Sequence, residues 1–314
     1  MTIIRHDKPY LRDRVAVLAL RGMIKLQGES IVGPETRPSY DKMIARTPSA
    51  SGVSYEADTV GGVPGWWCRP TGPLGKGVIL YHHGGCFVLG SAKAYRHVAG
   101  QVAARAKLPA FVADYSLAPE HPFPAAIDDA LAAYRGLTAL GHTNIVLVGD
   151  SAGGGLSLAL LAKASRDGSL PRPAGAMVMS PMTDLALTGE SIKARAKDDP
   201  MLKQKMLSDA AALYLGAQDR RTPDASPLYG DLSGLPPTLI LVGEYEILLD
   251  DSLRYAARKE AVGGEITVHV WKGMPHVFCG LVGMLKSAPE ALDIAGAFIR
   301  QLSQSGPSPV ANGN

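Results

Sequence analysis

The sequence predicts an α/β fold: a mostly parallel, eight-stranded sheet flanked by helices, with a helical cap. Three observations carry this expectation. Short apolar, β-branched runs alternate with longer amphipathic ones along most of the 314 residues, as strand–helix repeats do. The middle runs, such as Val146-Leu147-Val148, are continuously apolar, as strands covered on both faces must be. A chain of this length buries roughly 75% of the surface that it exposes when unfolded, enough for one large core.

In order, strands are expected at 53–58, 65–69, 77–82, 110–115, 145–149, 175–180, 238–243 and 266–271, and helices at 92–106, 125–138, 152–167, 250–262 and 288–304. Two segments break the alternation. Residues 1–45 show helical periodicity and then a Pro/Gly-rich stretch, before any expected strand. Residues 186–222, rich in charge and Met, lie between two strands and exceed what a crossover needs. The division that follows is 1–45 as the N-terminal part of a cap, 46–185 as the first part of the core, 186–222 as a cap insertion, 223–302 as the second part of the core, and 303–314 as a flexible polar tail.

Composition narrows the partners. Lys and Arg total 32 against 29 Asp and Glu, a formal charge of +3. No strong basic tract stands out, which makes nucleic acid and anionic membrane surfaces poor fits. Cys68, Cys86 and Cys279 form no CxxC pair, which argues against a disulfide framework or structural zinc and for a reducing, cytoplasmic setting. The apolar run 15–20 is too short for a signal-peptide core, and no uncharged apolar stretch of about 18 residues exists to span a membrane.

The chemistry concentrates in three places. Gly149-Asp150-Ser151-Ala152-Gly153 follows an apolar strand and opens an apolar helix, the context of a nucleophile elbow. A turn that tight strains the serine backbone, and the glycines let neighbouring chains approach. The motif lacks the G-x-G-x-x-G spacing and the lysine of nucleotide-binding turns. Upstream, His83-Gly84-Gly85-Cys86-Phe87 follows a strand. A Gly-Gly loop there can aim backbone N–H groups at a developing oxyanion, with Ala152 supplying another. The expected donors are Gly84, Gly85, Cys86 and Ala152. Cys86 is read as a small thiol filling a glycine slot, because no acid–base partner for it is evident. Among eight histidines, His276 follows the last strand and a Gly-Met-Pro turn, the place where Ser…acid…His order puts the base. His82 and His83 are expected to hold the Gly-Gly loop in shape, His121 to be tied into a proline loop, His269 to be a sheet residue, and His6, His97 and His142 to lie at the surface.

These residues resemble the hormone-sensitive-lipase-like esterases, bacterial lipolytic family IV, of the α/β-hydrolase fold. Four blocks match in order: His83 to Phe87; Asp114-Tyr115-Ser116-Leu117-Ala118-Pro119-Glu120-His121-Pro122-Phe123-Pro124-Ala125; Gly149 to Gly155; and Gly273-Met274-Pro275-His276-Val277-Phe278. The second block is read as structural. The resemblance spans about residues 50–300. It implies hydrolysis of short to medium acyl esters, no cofactor, a cap whose sequence does not carry substrate identity over, and His276 at the family's base position. The acid departs from the commoner pattern. Where the family usually carries Asp-Pro-Leu-x-Asp, this chain reads Gly243-Glu244-Tyr245-Glu246-Ile247-Leu248-Leu249-Asp250-Asp251. The resemblance puts the triad acid on Glu246, with Asp250, suited to an N-cap, as its rival and Glu244 behind both. Phe87, Asp150, Met201, Met206, Leu207, Tyr214 and Val277 are candidate pocket residues, although the helical spacing of the insertion residues suits core packing equally. A small ester is the expected substrate. A lactonase or amidase on the same triad, or a non-catalytic small-ligand receptor of the kind that the plant gibberellin receptors exemplify, are the alternatives. By analogy with some relatives, the strand at 266–271 is a candidate edge for a homodimer.

Overall fold

The computed structural model describes residues 2–27 and 32–305. The chain starts with β1 (Thr2–His6), α1 (Leu11–Gln27) and α2 (Arg37–Ile44), followed by a hairpin of β2 (Val53–Val60) and β3 (Val63–Pro70). Alternation then sets in: β4 (Val78–His82), α3 (Ala92–Ala106), β5 (Ala110–Ala113), α4 (Ala125–Ala139), β6 (Ile145–Asp150), α5 (Ser151–Arg166) and β7 (Gly175–Met179). The insertion holds α6 (Ser191–Ala194) and α7 (Gln204–Leu215). The chain closes with β8 (Thr238–Gly243), α8 (Leu249–Ala261), β9 (Ile266–Trp271) and α9 (Ser287–Ser305). The eight expected strands and five expected helices all form, each within a few residues of the expected bounds.

Among the described residues the sheet has nine strands, in the order β1-β9-β8-β7-β6-β4-β5-β3-β2. β3 runs antiparallel to β2 and β5; the other neighbours are parallel. Two cores follow from the pleat. Val78 and Leu80 of β4 point into one, under α4, α5 and α8, while Ile79 and Tyr81 point into the other, under α3 and α9. The chain leaving β4 therefore goes to one face and the chain leaving its neighbour β6 to the opposite face. The crevice between their C-terminal ends is where open α/β sheets bind ligands. The insertion packs its Leu207, Ala210, Ala211, Tyr214 and Leu215 into the first of these cores.

The ninth strand corrects the expected count. β1 lies within 1–45, a segment read as a cap with helical periodicity followed by a Pro/Gly-rich stretch, and with no strand. Its five residues are mostly exposed, so no alternation of apolar and polar residues marks them. Main-chain pairing with β9 holds them, from Thr2↔Thr267 to His6↔Trp271, reinforced by His6 stacked on Trp271 at 4.0 Å and hydrogen-bonded to His269 at 3.0 Å. β9 is consequently not an edge, and the homodimer expected through it has no free ladder to use. At the other end, 303–305 close α9; the remainder of the expected tail lies outside the described residues. Among the described residues no helix is long and apolar enough to cross a membrane.

Candidate active site

Ser151 stands where β6 passes into α5, with φ +52°. That left-handed backbone is costly for a residue with a Cβ, and close packing around the turn imposes it. A Cβ on Gly149 would lie 2.4 Å from the Gly153 carbonyl oxygen, one on Gly153 2.1 Å from that of His82, and one on Gly155 2.0 Å from that of Met182. The glycines thus serve as expected: they let β4, β7 and α5 close around the serine.

His276 Nε2 lies 2.9 Å from Ser151 Oγ, and its Nδ1 lies 2.8 Å from Glu246 Oε2. All three side chains are almost wholly buried. The other carboxylate oxygen of Glu246 accepts Ser180 Oγ–H at 2.7 Å and the Gly243 N–H at 2.5 Å. Ser180 Oγ in turn accepts the Val277 N–H at 3.1 Å, so one hydroxyl braces both the carboxylate and the loop carrying the imidazole. Burial raises the Glu246 pKa, against the opposing hydrogen bonds from His276, Ser180 and Gly243. Burial alone would lower the His276 pKa, but the hydrogen bond and charge of Glu246 outweigh it and hold the pKa above its ordinary value. Ser180→Ala is expected to lower kcat about tenfold with KM little changed, because a positioning bond is lost and no substrate contact is; steady-state kinetics check it.

Asp250 points elsewhere. Its carboxylate accepts the Ser191 N–H at 2.8 Å, and its own N–H donates to Ser191 Oγ at 3.0 Å. The expected N-cap at the start of α8 is instead a clamp on the start of α6. Glu244 is also turned away, accepting the Gly273 N–H at 3.3 Å.

In the loop after β4, the Gly84 N–H donates to Asp150 Oδ1 at 3.1 Å. It is spent on the carboxylate beside the serine, which corrects its expected place among the oxyanion donors. No protein acceptor among the described residues takes the N–H groups of Gly85, Cys86 or Ala152. Asp150 also accepts Tyr81 Oη–H at 2.8 Å, and burial pushes its pKa up to about 6. It is therefore an internal brace, not an open pocket residue. His83 holds the loop through Gly84 O at 2.8 Å, as expected, and stacks on Tyr115 at 4.4 Å. His82 bonds Ser157 of α5 instead, at 2.9 Å, and burial lowers its pKa to about 3. The 114–125 block braces the same loop through Tyr115 Oη–H to His83 O at 2.6 Å and the Ala118 N–H to Phe87 O at 2.9 Å.

Cys86 has φ +58°, the conformation that glycine would adopt more cheaply. Burial pushes its thiol up to about 12. Iodoacetamide near pH 8 is expected to leave activity unchanged, since almost no thiolate is present; a time course of inactivation checks it. All three cysteines are buried and free.

Of the remaining pocket candidates, Phe87 and Tyr214 are fully buried and stacked on one another at 4.0 Å. Leu207 is likewise core, Met201 and Met206 are partly buried against it, and Val277 sits beside His276 with φ +49°. The sequence reading missed Ser180, and also Asp199 and Arg37. Buried Asp199 accepts the Ile247 N–H at 2.9 Å, tying the insertion to the loop that carries Glu246. Arg37 donates to Val88 O and Ala118 O, both at 2.8 Å, and pairs with Glu120. No local pattern marks any of them. His269 is in the sheet as expected; His6, His97 and His142 are partly buried, not free at the surface. Among the described residues no group of three or more His, Cys, Asp or Glu side chains is placed to hold a metal ion.

A serine on a strained strand-to-helix turn, a histidine after the last strand and a carboxylate between them, at the C-terminal ends of a mainly parallel sheet, define the α/β-hydrolase class. A family model described as alpha/beta hydrolase fold matches residues 79–280. An acetyl-hydrolase of Streptomyces hygroscopicus is 41% identical over 79% of this chain and 83% of its own length. An esterase of Acinetobacter venetianus is 34% identical over 88% and 92%. The crystal structure of an esterase from the bacterial hormone-sensitive lipase family superposes with TM-score 0.87 at 38% identity, covering 92% of this chain and 98% of that one. A hormone-sensitive lipase from a metagenome library gives TM-score 0.88 at 36% identity, covering 95% and 100%. The chain belongs to the α/β-hydrolase family, among its hormone-sensitive-lipase-like esterases, and is an ester hydrolase.

Proposed function

We propose that the protein hydrolyses short to medium acyl esters of small alcohols, acetyl esters among them, through an acyl-enzyme built on Ser151. The observation that carries this is the unbroken line from Ser151 Oγ through His276 to Glu246, at 2.9 and 2.8 Å. His276 takes the Oγ proton as the oxygen attacks the ester carbonyl. Glu246 fixes the tautomer that leaves Nε2 free to accept, and it balances the imidazolium that forms. Charge on the carbonyl oxygen is met by the N–H groups of Gly85, Cys86 and Ala152, each contributing about 3 kcal/mol in kcat. Nε2 then returns the proton to the departing alcohol. Water, deprotonated by the same imidazole, attacks the acyl-enzyme; collapse releases the acid and restores the serine. The helices α1 and α2, with residues 186–222, act as a cap, joined by Arg21, which pairs with Asp198 and lies over the Tyr245 ring at 5.0 Å. The acetyl-hydrolase relative supports the short end of the acyl range.

The test is a series of p-nitrophenyl esters from acetate to palmitate, with lactone and anilide substrates alongside and a fluorophosphonate label followed by peptide mapping. Turnover that is fastest on the short esters, with the label on Ser151, is the expected result. Faster turnover of the lactone or anilide would move the activity to those classes, and failure to label would leave only ligand binding.

A further inference from the structure

Among the described residues, six of the eleven exposed large hydrophobic side chains lie in the first 23 positions: Ile3, Ile4, Leu11, Val15, Leu18 and Met23. On α1, Leu11, Val15 and Leu18 are 74%, 59% and 63% exposed. With exposed Gly22 they follow helical spacing, so they form one stripe on the side away from buried Asp13 and Val17. A helix that merely closes the core would put such residues inward. Here Asp13 faces inward instead, accepting the Lys286 and Ser287 N–H groups at the start of α9.

The charge beside the stripe is mainly basic. Exposed Arg12 and Arg14 flank it on opposite sides, and Lys8 and Arg5 precede it, with exposed Asp7 between those two and Glu290 held by Tyr10 before the helix begins. Among the described residues no carboxylate pairs with Arg12; it donates to the Gly283 carbonyl oxygen, which sets the helix beside the loop of exposed Met284. Asp13, the acid within this stretch of helix, is spent at α9. A second copy packed on the same stripe would bring arginine against arginine. An anionic bilayer surface matches both features, apolar residues entering between headgroups and guanidinium groups reaching the phosphates. The net charge of +3 averages over the whole chain and so does not describe this face.

We propose that the outer face of α1 docks the protein on anionic lipid surfaces. This is independent of the ester-hydrolase reading, because binding is measured without turnover.

The full chain is sedimented with vesicles of phosphatidylcholine alone and of phosphatidylcholine with phosphatidylglycerol. At least tenfold stronger partitioning to the anionic vesicles is expected, falling about tenfold in the Val15→Glu/Leu18→Glu variant and on raising salt. That variant is expected to retain turnover of soluble p-nitrophenyl acetate, which shows it folded. If it does not fold, Leu18→Trp supplies the reading, with a fluorescence blue shift expected on anionic vesicles alone. Equal partitioning to both vesicles, unchanged binding by the charged variant, or no blue shift overturns the proposal. So does light scattering that shows a dimer which Leu18→Glu dissociates, since the stripe would then belong to a second copy.

Discussion

His276→Ala is expected to lower kcat on p-nitrophenyl acetate roughly 10^5–10^6-fold. The serine hydroxyl is a poor nucleophile unless its proton has somewhere to go, and Nε2, at 2.9 Å, is the acceptor in reach. The loop amides and the pocket are untouched, so turnover should settle at the residual level that oxyanion stabilisation and binding alone sustain. Ser151→Ala should match it, and the double variant should be no worse than either, because the two residues act as one unit. Fluorophosphonate labelling of the His276→Ala protein should fall in parallel. A kcat within about tenfold of the wild type, in a variant with unchanged circular dichroism, would sink the assignment.

Glu246→Gln is expected to cost about 10^4 in kcat, with Asp250→Asn within about threefold of the wild type. The difference follows from what each carboxylate touches. Glu246 holds the imidazole at 2.8 Å, whereas Asp250 holds the Ser191 N–H at 2.8 Å, so losing its charge should cost about 1 kcal/mol of stability in denaturant unfolding. The pH profile separates the two further. The base form of His276 is neutral, so kcat/KM should rise as pH rises through its pKa. Burial pulls that pKa down and Glu246 more than restores it, which places the wild-type acidic limb above the usual imidazole value of about 6.5. In Glu246→Gln only the smaller contributions of the Asp199 and Asp150 charges still oppose burial, and the limb should move to lower pH. A limb that stays put, or a larger kcat loss in Asp250→Asn, would transfer the acid role.

Much of the candidate site was legible because its constraints are local. The Gly149 to Gly155 run announces the elbow, since Gly149, Gly153 and Gly155 each answer a backbone contact that no side chain could survive, as at Gly153 against His82 O. The continuous apolar runs of β4, β6, β7 and β8 are local in the same sense: a strand covered on both faces cannot alternate. His276 was readable from its order after the serine and its place after the last strand.

What lay hidden depends on partners far away in sequence. Ser180 is an ordinary serine until it meets Glu246, 66 residues on, and the Val277 N–H, 97 residues on. Gly84 looked interchangeable with Gly85 until Asp150 took its N–H. β1 carries no pattern because it is held by one neighbour's main chain and covered on neither face. By itself, then, the sequence determined the fold class and marked Ser151 and His276 as the candidate nucleophile and base, because those marks follow from short-range sterics, chain order and the burial of contiguous residues. The tertiary structure decided which carboxylate meets the imidazole, which amides stay open and where the sheet ends, because those turn on hydrogen bonds whose donors and acceptors meet only when the chain has closed.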